Sequence, residues 1–201
     1  MHPQKIQMPW STADDSQSLY HMSAVCFLYA AYVYDVTGVP MGLVDSDFGG
    51  TIIEAWSSPE ALEACNVQPH NPGDKNSNTV LWNAMINPLL RVSLKGFLWY
   101  QGESNSGHNR DLYNCTFPAL INDWRLKFSQ NSGTPADAPF GFVQIATQRA
   151  DSINNNWSVV RWHQTADYGY APNDAMHRVF MSTSLDTYDS ASGYPGGGHP
   201  R

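Results

Sequence analysis

The stretch GFLWYQGESN, residues 96–105, combines an apolar run with a polar one and indicates both a strand and a site. Its first half is a short apolar run, which is typical of a strand buried on both faces of a parallel sheet. Its second half changes abruptly to small and hydrogen-bonding residues, beginning at Gln101 and Gly102. In open α/β sheets, ligands bind just beyond the carboxyl ends of the strands. We therefore interpret residues 96–101 as a strand and the residues after it as the mouth of a binding site.

Helical and strand-like segments alternate along the rest of the chain. Apolar spacing, capping residues and glycine or proline breaks predict helices over 18–37, 79–92, 112–128 and 157–166. Short apolar runs predict strands over 41–44, 96–101, 140–146 and 178–184. Pro88 interrupts the second helix, and Pro118 is an alternative start for the third. Strands separated by helices of crossover length predict an α/β fold, a parallel sheet with helices on both faces. The first helix is apolar nearly all round, so we expect it to be buried on more than one side.

Length and composition are those of a globular protein. The 201 residues are 42% hydrophobic and only 14% charged, enough for one domain over 1–201 with a full core. The net charge is −7 and no cluster of Lys or Arg occurs, which argues against nucleic acid or anionic lipid as a partner. The most apolar stretch, residues 24–34, is shorter than the ~20 residues that cross a bilayer, so we expect no membrane span.

The cysteines and two glycosylation sequons bear on the compartment. Cys65 and Cys115 lie in polar segments and Cys26 in an apolar one, so we expect a Cys65–Cys115 disulfide and a buried free Cys26. The alternative is three reduced cysteines in a cytosolic protein. Sequons at Asn114 and Asn156 are those of a glycosylated secretory protein, although such triplets also arise by chance.

The loops after the predicted strands carry residue types suited to ester chemistry. Gly49 and Gly50 follow the first strand and Gln101 follows the second, so backbone amides and an amide side chain could face developing negative charge. His199 follows three glycines and has no apolar periodicity that would place it in a core, which makes it a candidate base. His163, inside a helical segment, is interpreted as a packed or capping residue.

Structural explanations stay open for the same residues. Gly49 and Gly50 also fit a tight turn with positive φ, and Gln101 and Glu103 also fit a strand end that hydrogen-bonds to loop backbone. Ser46 is a candidate nucleophile by position alone. It lacks a G-x-S-x-G elbow, and its two acidic neighbours disfavour an alkoxide. The residues by themselves leave the nucleophile unassigned.

Longer motifs carry a resemblance to a known family. They include GLVDSDFGGTIIEAWSS (42–58), LWNAMINPLL (81–90), GFLWYQGESN (96–105), DLYNCTFPALINDWR (111–125), RWHQTADYGY (161–170) and the terminal HPR (199–201). In these motifs the chain resembles the sialate O-acetylesterases of the SGNH hydrolase superfamily. The resemblance implies a three-layer α/β/α, flavodoxin-like fold and hydrolysis of O-acetyl esters of sialic acids or sialoglycans through an acetyl-serine intermediate. It implies no metal or organic cofactor.

The resemblance also implies roles for individual residues. Gly50, and less directly Gly49, would bind the oxyanion together with Gln101. His199 would be the general base. Glu103 would hold the residues of the site in position without reacting itself.

The chain departs from the family pattern in two places. The family's serine lies in a GQSN block, and no GQSN sequence occurs in the 201 residues. The positions that often hold an Asp before the catalytic His are Gly196 and Gly197, so the expected partner of His199 is Asp186, Asp189 or a backbone carbonyl. We therefore expect an SGNH domain that is incomplete at its N-terminus, inactive by itself, within a longer natural protein.

A different class of function is also compatible with the sequence. In a non-catalytic glycan-binding protein, Trp56, Trp99 and Tyr100 would face the sugar. For either function, the resemblance, the sequons and the expected disulfide favour the secretory pathway, with a lysosomal or extracellular location.

Overall fold

A computed structural model describes residues 10–12, 20, 22–147 and 156–187. The chain divides into two compact units, Met1–Phe48 and Gly49–Arg201. The single domain over 1–201 stays a prediction. Among the described helices, none is both long and apolar enough to cross a bilayer.

The first unit contains the helix α1, Ala24–Thr37. It begins later than the predicted residue 18 because Ser23 caps it, with Oγ accepting from the N–H of Cys26 at 3.4 Å. It ends where expected, because Gly38 has φ 67° and its N–H donates to the carbonyl of Tyr34 at 2.7 Å. Only Ala30 is buried, so the expected burial on more than one side is wrong. The described part of this unit contains no further strand or long helix that could cover the apolar faces.

The strand predicted over 41–44 does not form, and residues 38–48 are irregular. So short an apolar run needs a neighbouring strand to supply its hydrogen bonds, and the described part of this unit has none. Asp45 instead accepts a hydrogen bond from the N–H of Ser23 at 2.7 Å, and burial raises the pKa of its carboxyl. Cys26 is free as expected but half-buried, and burial raises the pKa of its thiol.

The second unit contains a three-stranded parallel sheet in the order β1-β2-β3. The strands are β1, Phe97–Trp99; β2, Phe140–Gln144; and β3, Val179–Thr183. These confirm three of the four predicted strands and the parallel α/β architecture. Gly141 on β2 has no space for a side chain, because a Cβ there would lie 2.3 Å from the ring of Phe180 on β3.

Helices of crossover length connect the strands. The helices of this unit are α2, Ile53–Trp56; α3, Pro59–Ala64; α4, Tyr113–Asn131; and α5, Asn156–His163. The helix α4 joins β1 to β2 and starts ahead of Pro118, so the alternative start at that proline is wrong. The helix predicted over 79–92 is a π-helical turn, Trp82–Ile86, followed by a 3₁₀ turn, Asn87–Leu89. Pro88 has no N–H to continue an α-helix.

The core is an aromatic cluster between β1, β2 and the helices. Trp99 of β1 meets Trp56 of α2 and Trp124 of α4 edge to face, at 6.2 and 5.7 Å between ring centroids. At the amino ends of the strands, the guanidinium of Arg125 donates to the carbonyls of Ala138, His177 and Arg178.

Cys65 and Cys115 form a disulfide that joins the end of α3 to the first turn of α4. This confirms the expected pairing over the alternative of three reduced cysteines.

We predict that replacing both Cys65 and Cys115 by Ser lowers the free energy of unfolding. The bond closes a loop with a sequence separation of 50, for which the chain-entropy model gives about 4 kcal/mol. Urea unfolding of the oxidised protein measures the loss. Cys26→Ser, at the free thiol, is the control and should change the free energy by less than about 1 kcal/mol. A double variant as stable as the natural protein would contradict the prediction.

Candidate active site

The candidate site begins where the chain leaves β1. The backbone turns at Gly102, which has φ 147°. A Cβ on Gly102 would lie 3.1 Å from Val160 and 3.2 Å from Ile145, so this position requires glycine both for conformation and for space. Gln101, directly before the turn, is only 8% exposed. The strand end therefore directs a polar side chain into the protein interior.

The side chain of Gln101 is fully engaged. Its Nε2 donates to the carbonyl of Thr51 at 2.9 Å and to Oδ1 of Asn105 at 2.8 Å, and its Oε1 accepts from the hydroxyl of Tyr113 at 2.9 Å. The structure thus brings Gln101 to the segment that contains Gly50, although 50 residues separate Gln101 from Thr51.

Asn105 is the centre of the surrounding hydrogen bonds, and its side chain is completely buried. Its Oδ1 accepts from the N–H of Ile53 at 2.9 Å as well as from Gln101, and its Nδ2 donates to Glu54 at 3.0 Å and to the carbonyl of His108 at 3.1 Å. These bonds use the full capacity of the amide. Because the backbone N–H of Ile53 can only donate, the orientation of the amide is determined by its surroundings.

Glu54 places a carboxylate in the interior beside this amide. It is 0% exposed, and its two oxygens accept from Nδ2 of Asn105 and from Nδ2 of Asn109, both at 3.0 Å. An ionised carboxylate only accepts hydrogen bonds, so two amide donors match it. The pair of asparagines satisfies a group that would otherwise be costly to bury.

Tyr113 completes the network from the first turn of α4. Its hydroxyl accepts from the indole N–H of Trp99 at 3.2 Å and donates to Gln101. Burial strongly raises the pKa of Tyr113, and the nearby carboxylates Glu103 and Glu54 raise it further. The phenol therefore stays protonated at neutral pH and keeps donating to Oε1 of Gln101.

Gln164, just after α5, ties the carboxyl ends of β1 and β2 together. Its Nε2 donates to the carbonyls of Gln101 and Val143 at 3.2 and 3.1 Å, and its Oε1 accepts from the N–H of Ile145 at 3.0 Å. Gln164 thus supplies hydrogen bonds to three backbone groups at the strand ends.

Gly50 has the geometry of a turn and a backbone donor. Its φ is +70°, and a Cβ would lie 3.0 Å from Nζ of Lys75, which itself donates to the carbonyl of Gly49 at 2.6 Å. The tight-turn explanation is therefore correct for Gly50. At the same time, the N–H of Gly50 makes no hydrogen bond to any residue that the structure describes.

The structure describes only some of the other predicted catalytic residues. His199 and Asp189 lie outside the described residues. Asp186 is exposed after β3, and Glu103 is half-buried at the start of the 3₁₀ turn Ser104–Gly107. Ser46 belongs to the first unit.

The sugar-facing role of two tryptophans is wrong. Trp56 and Trp99 are only 4% and 8% exposed and pack against each other in the core. The indole N–H of Trp56 donates to Thr51 Oγ1 at 2.9 Å, so its polar edge is also engaged inside the protein. Tyr100 is half-buried. His163 is packed, as expected, with Nδ1 at 2.5 Å from the carboxylate of Asp167.

Four residues of the network were not predicted as site residues from the sequence: Glu54, Asn105, Tyr113 and Gln164. Polar residues inside the motifs IIEAW and QGESN were the available signal for the first two. Tyr113 and Gln164 had no such signal, because only the fold brings their helices to the strand ends. Among the residues that the structure describes, no three His, Cys, Asp or Glu side chains are grouped to hold a metal ion.

Comparisons with known proteins agree in pointing to one family. A family model described as "Carbohydrate esterase, sialic acid-specific acetylesterase" matches residues 4–185. A curated protein named sialate O-acetylesterase from Homo sapiens is 46% identical over 210 residues, which cover 98% of this chain and 40% of that protein. The protein of the same name from Mus musculus is 42% identical over 216 residues, with 90% of this chain and 40% of that protein covered. The chain thus spans about two fifths of the length of these relatives.

A solved structure supports the same conclusion. The crystal structure of a carbohydrate acetylesterase from Xanthomonas citri is 28% identical and matches with a TM-score of 0.69, over 84% of this chain and 35% of that one. This agrees with the predicted fold class.

We predict that Glu54→Gln destabilises the protein. The new amide would place N–H groups against Nδ2 of Asn105 or Asn109, and Asn105 cannot rotate because its Oδ1 already accepts two hydrogen bonds. A buried unsatisfied donor costs about 1–3 kcal/mol, which urea unfolding can measure. Glu63→Gln, on the exposed face of α3, is the matched control and should be neutral. Equal stability of both variants would contradict the prediction.

Proposed function

The chain belongs to the sialic acid-specific acetylesterase family of carbohydrate esterases, and we propose that it serves the hydrolysis of O-acetyl esters on sialic acids. The reaction class is carboxylic ester hydrolysis by serine-type acyl transfer. One observation carries the proposal: Nε2 of Gln101 donates to the carbonyl of Thr51, and the N–H of the preceding residue, Gly50, has no hydrogen-bond partner among the described residues. We propose that these two donors face the same ester oxygen, because an amide side chain and a backbone N–H are suited to binding an oxyanion.

In the proposed mechanism, the N–H of Gly50 and Nε2 of Gln101 bind the oxygen of the tetrahedral intermediate. Nε2 of Gln101 already donates to Thr51 and to Asn105, so one of these bonds must be exchanged for the ester oxygen. The carbonyl of Thr51 is the partner to be given up, because Asn105 is held by its other hydrogen bonds. Glu103, next to the turn at Gly102, is proposed as a positioning residue.

The base and the nucleophile complete the proposal. His199 takes the proton of the attacking serine and returns it to the leaving sugar hydroxyl, while the acetyl group passes to the serine and then to water. No GQSN sequence occurs in these residues, and the chain spans 40% of its human relative. We therefore propose that the serine belongs to another part of the natural protein.

The expected substrate is an O-acetylated sialic acid or sialoglycan. The Cys65–Cys115 disulfide supports a site of action in the secretory pathway, in the lysosome or outside the cell.

We predict that the natural full-length protein releases acetate from O-acetylated N-acetylneuraminic acid and that two variants lose this activity. His199→Ala should lower kcat by about 10²–10⁴-fold, because it removes the general base. Gln101→Ala should lower kcat by about 10²–10³-fold, because it removes an oxyanion donor. Thermal unfolding of each variant separates loss of catalysis from loss of fold.

His177→Ala is the control, because this histidine is exposed and outside the network. It should retain full activity. Absence of acetate release from the natural protein, or equal rates for His199→Ala and His177→Ala, would overturn the proposal.

A further inference from the structure

A polar cavity lies directly beside the network. It has a volume of about 510 Å³ and is lined by residues 106–112 and by Asn156. These residues belong to the turns that follow β1 and to the first turn of α5. Nothing in the proposed mechanism uses this cavity.

Two hydrogen bonds fix the cavity wall to the network. Nδ2 of Asn109 donates to Glu54 at 3.0 Å, and the carbonyl of His108 accepts from Nδ2 of Asn105 at 3.1 Å. The imidazole of His108 also packs on that of His70, with ring centroids 4.5 Å apart. The cavity is therefore held in a defined position relative to Gln101, which shares the amide of Asn105.

Arg110 gives the cavity a positive charge that is only partly used. Its Nη1 donates to Oδ1 of Asn156, and its Nε lies 3.3 Å from the carboxylate of Asp111. Its Nη2 has no hydrogen-bond partner among the described residues. The side chain is 35% exposed and that of Asp111 is 77% exposed, so solvent screens this ion pair and a ligand could displace it. A guanidinium with a free edge is suited to a carboxylate.

We propose that this cavity binds the carboxylate of the sialic acid and that Arg110 makes the site selective for an anionic sugar over a neutral one. The inference rests on the proposed function, because the substrate class named there carries a carboxylate on the same sugar as the acetyl ester. In this proposal one sugar contacts Gln101 at its reacting end and the cavity at its charged end. Such positioning lowers the cost of reaching the transition state.

The test uses two ligands and the natural full-length protein. The ligands are the methyl α-glycoside of N-acetylneuraminic acid and the methyl ester of that glycoside, which differ only in the charge of the carboxyl group. Isothermal titration calorimetry should give tighter binding for the acid. Arg110→Gln should weaken binding of the acid about tenfold, which corresponds to about 1.4 kcal/mol, and should leave binding of the ester unchanged.

Two further variants sharpen the test. Arg91→Gln removes an exposed arginine from the segment that precedes β1, at the opposite end of that strand, and should not affect either ligand. Asp111→Asn removes the carboxylate that competes for Arg110 and should strengthen binding of the acid alone. Thermal unfolding confirms that each variant is folded.

The outcomes distinguish this inference from the proposed function. Equal binding of the acid and the ester, or acid binding that Arg110→Gln does not weaken, overturns the role of Arg110 even if the protein releases acetate from sialic acid esters. Acid binding that depends on Arg110 supports the inference even if no acetate is released. Failure to bind either ligand overturns it.

Discussion

The arrangement of the site depends on the buried amide of Asn105. Its Oδ1 accepts hydrogen bonds from α2 and from Gln101 at the end of β1. Its Nδ2 donates to Glu54 of α2 and to the turn after β1. Segments that are about fifty residues apart in the chain are thus held by one side chain. A buried amide with every partner present is rigid, because any rotation would leave several groups unsatisfied at once.

The two ends of the sheet are stabilised in different ways. At the amino ends, Arg125 satisfies backbone carbonyls that precede β2 and β3. Burial lowers the pKa of Arg125, but an arginine remains charged at neutral pH. At the carboxyl ends, neutral amides and the phenol of Tyr113 surround a single buried carboxylate, Glu54. Arg125 at the amino ends holds only the backbone. The network around Glu54 at the carboxyl ends also positions side chains that a substrate could contact.

Sequence patterns predicted the central elements well because local and tertiary preferences agree there. The apolar runs at β1, β2 and β3 have neighbouring strands, and these strands form. The run at 41–44 has equal apolar character but no strand beside it in the described part of its unit, so its backbone stays irregular. An apolar run indicates which residues avoid water, but it does not indicate whether a neighbouring strand is present to pair with them.

The site was predictable only in part for a similar reason. Gln101 and Gly50 are recognisable because they follow apolar runs, and the fold brings the amide of Gln101 to the residue after Gly50. Glu54 and Tyr113 belong to helices, where a polar residue is usually interpreted as surface or packing. Trp56 and Trp99 show the opposite error, since aromatic residues near a site suggested sugar contacts whereas these two form the core.

The network also constrains how Gln101 can act in the proposed mechanism. Its Oε1 is held by Tyr113, whose raised pKa keeps the phenol proton in place, and one Nε2 proton is held by Asn105. The amide plane is therefore fixed, so the second Nε2 proton keeps its direction and binds an ester oxygen only where the carbonyl of Thr51 has moved away. That carbonyl belongs to Thr51, the residue after Gly50. An ester oxygen in its place would meet an amide donor whose orientation is already set, so the amide itself would need little reorganisation as negative charge develops.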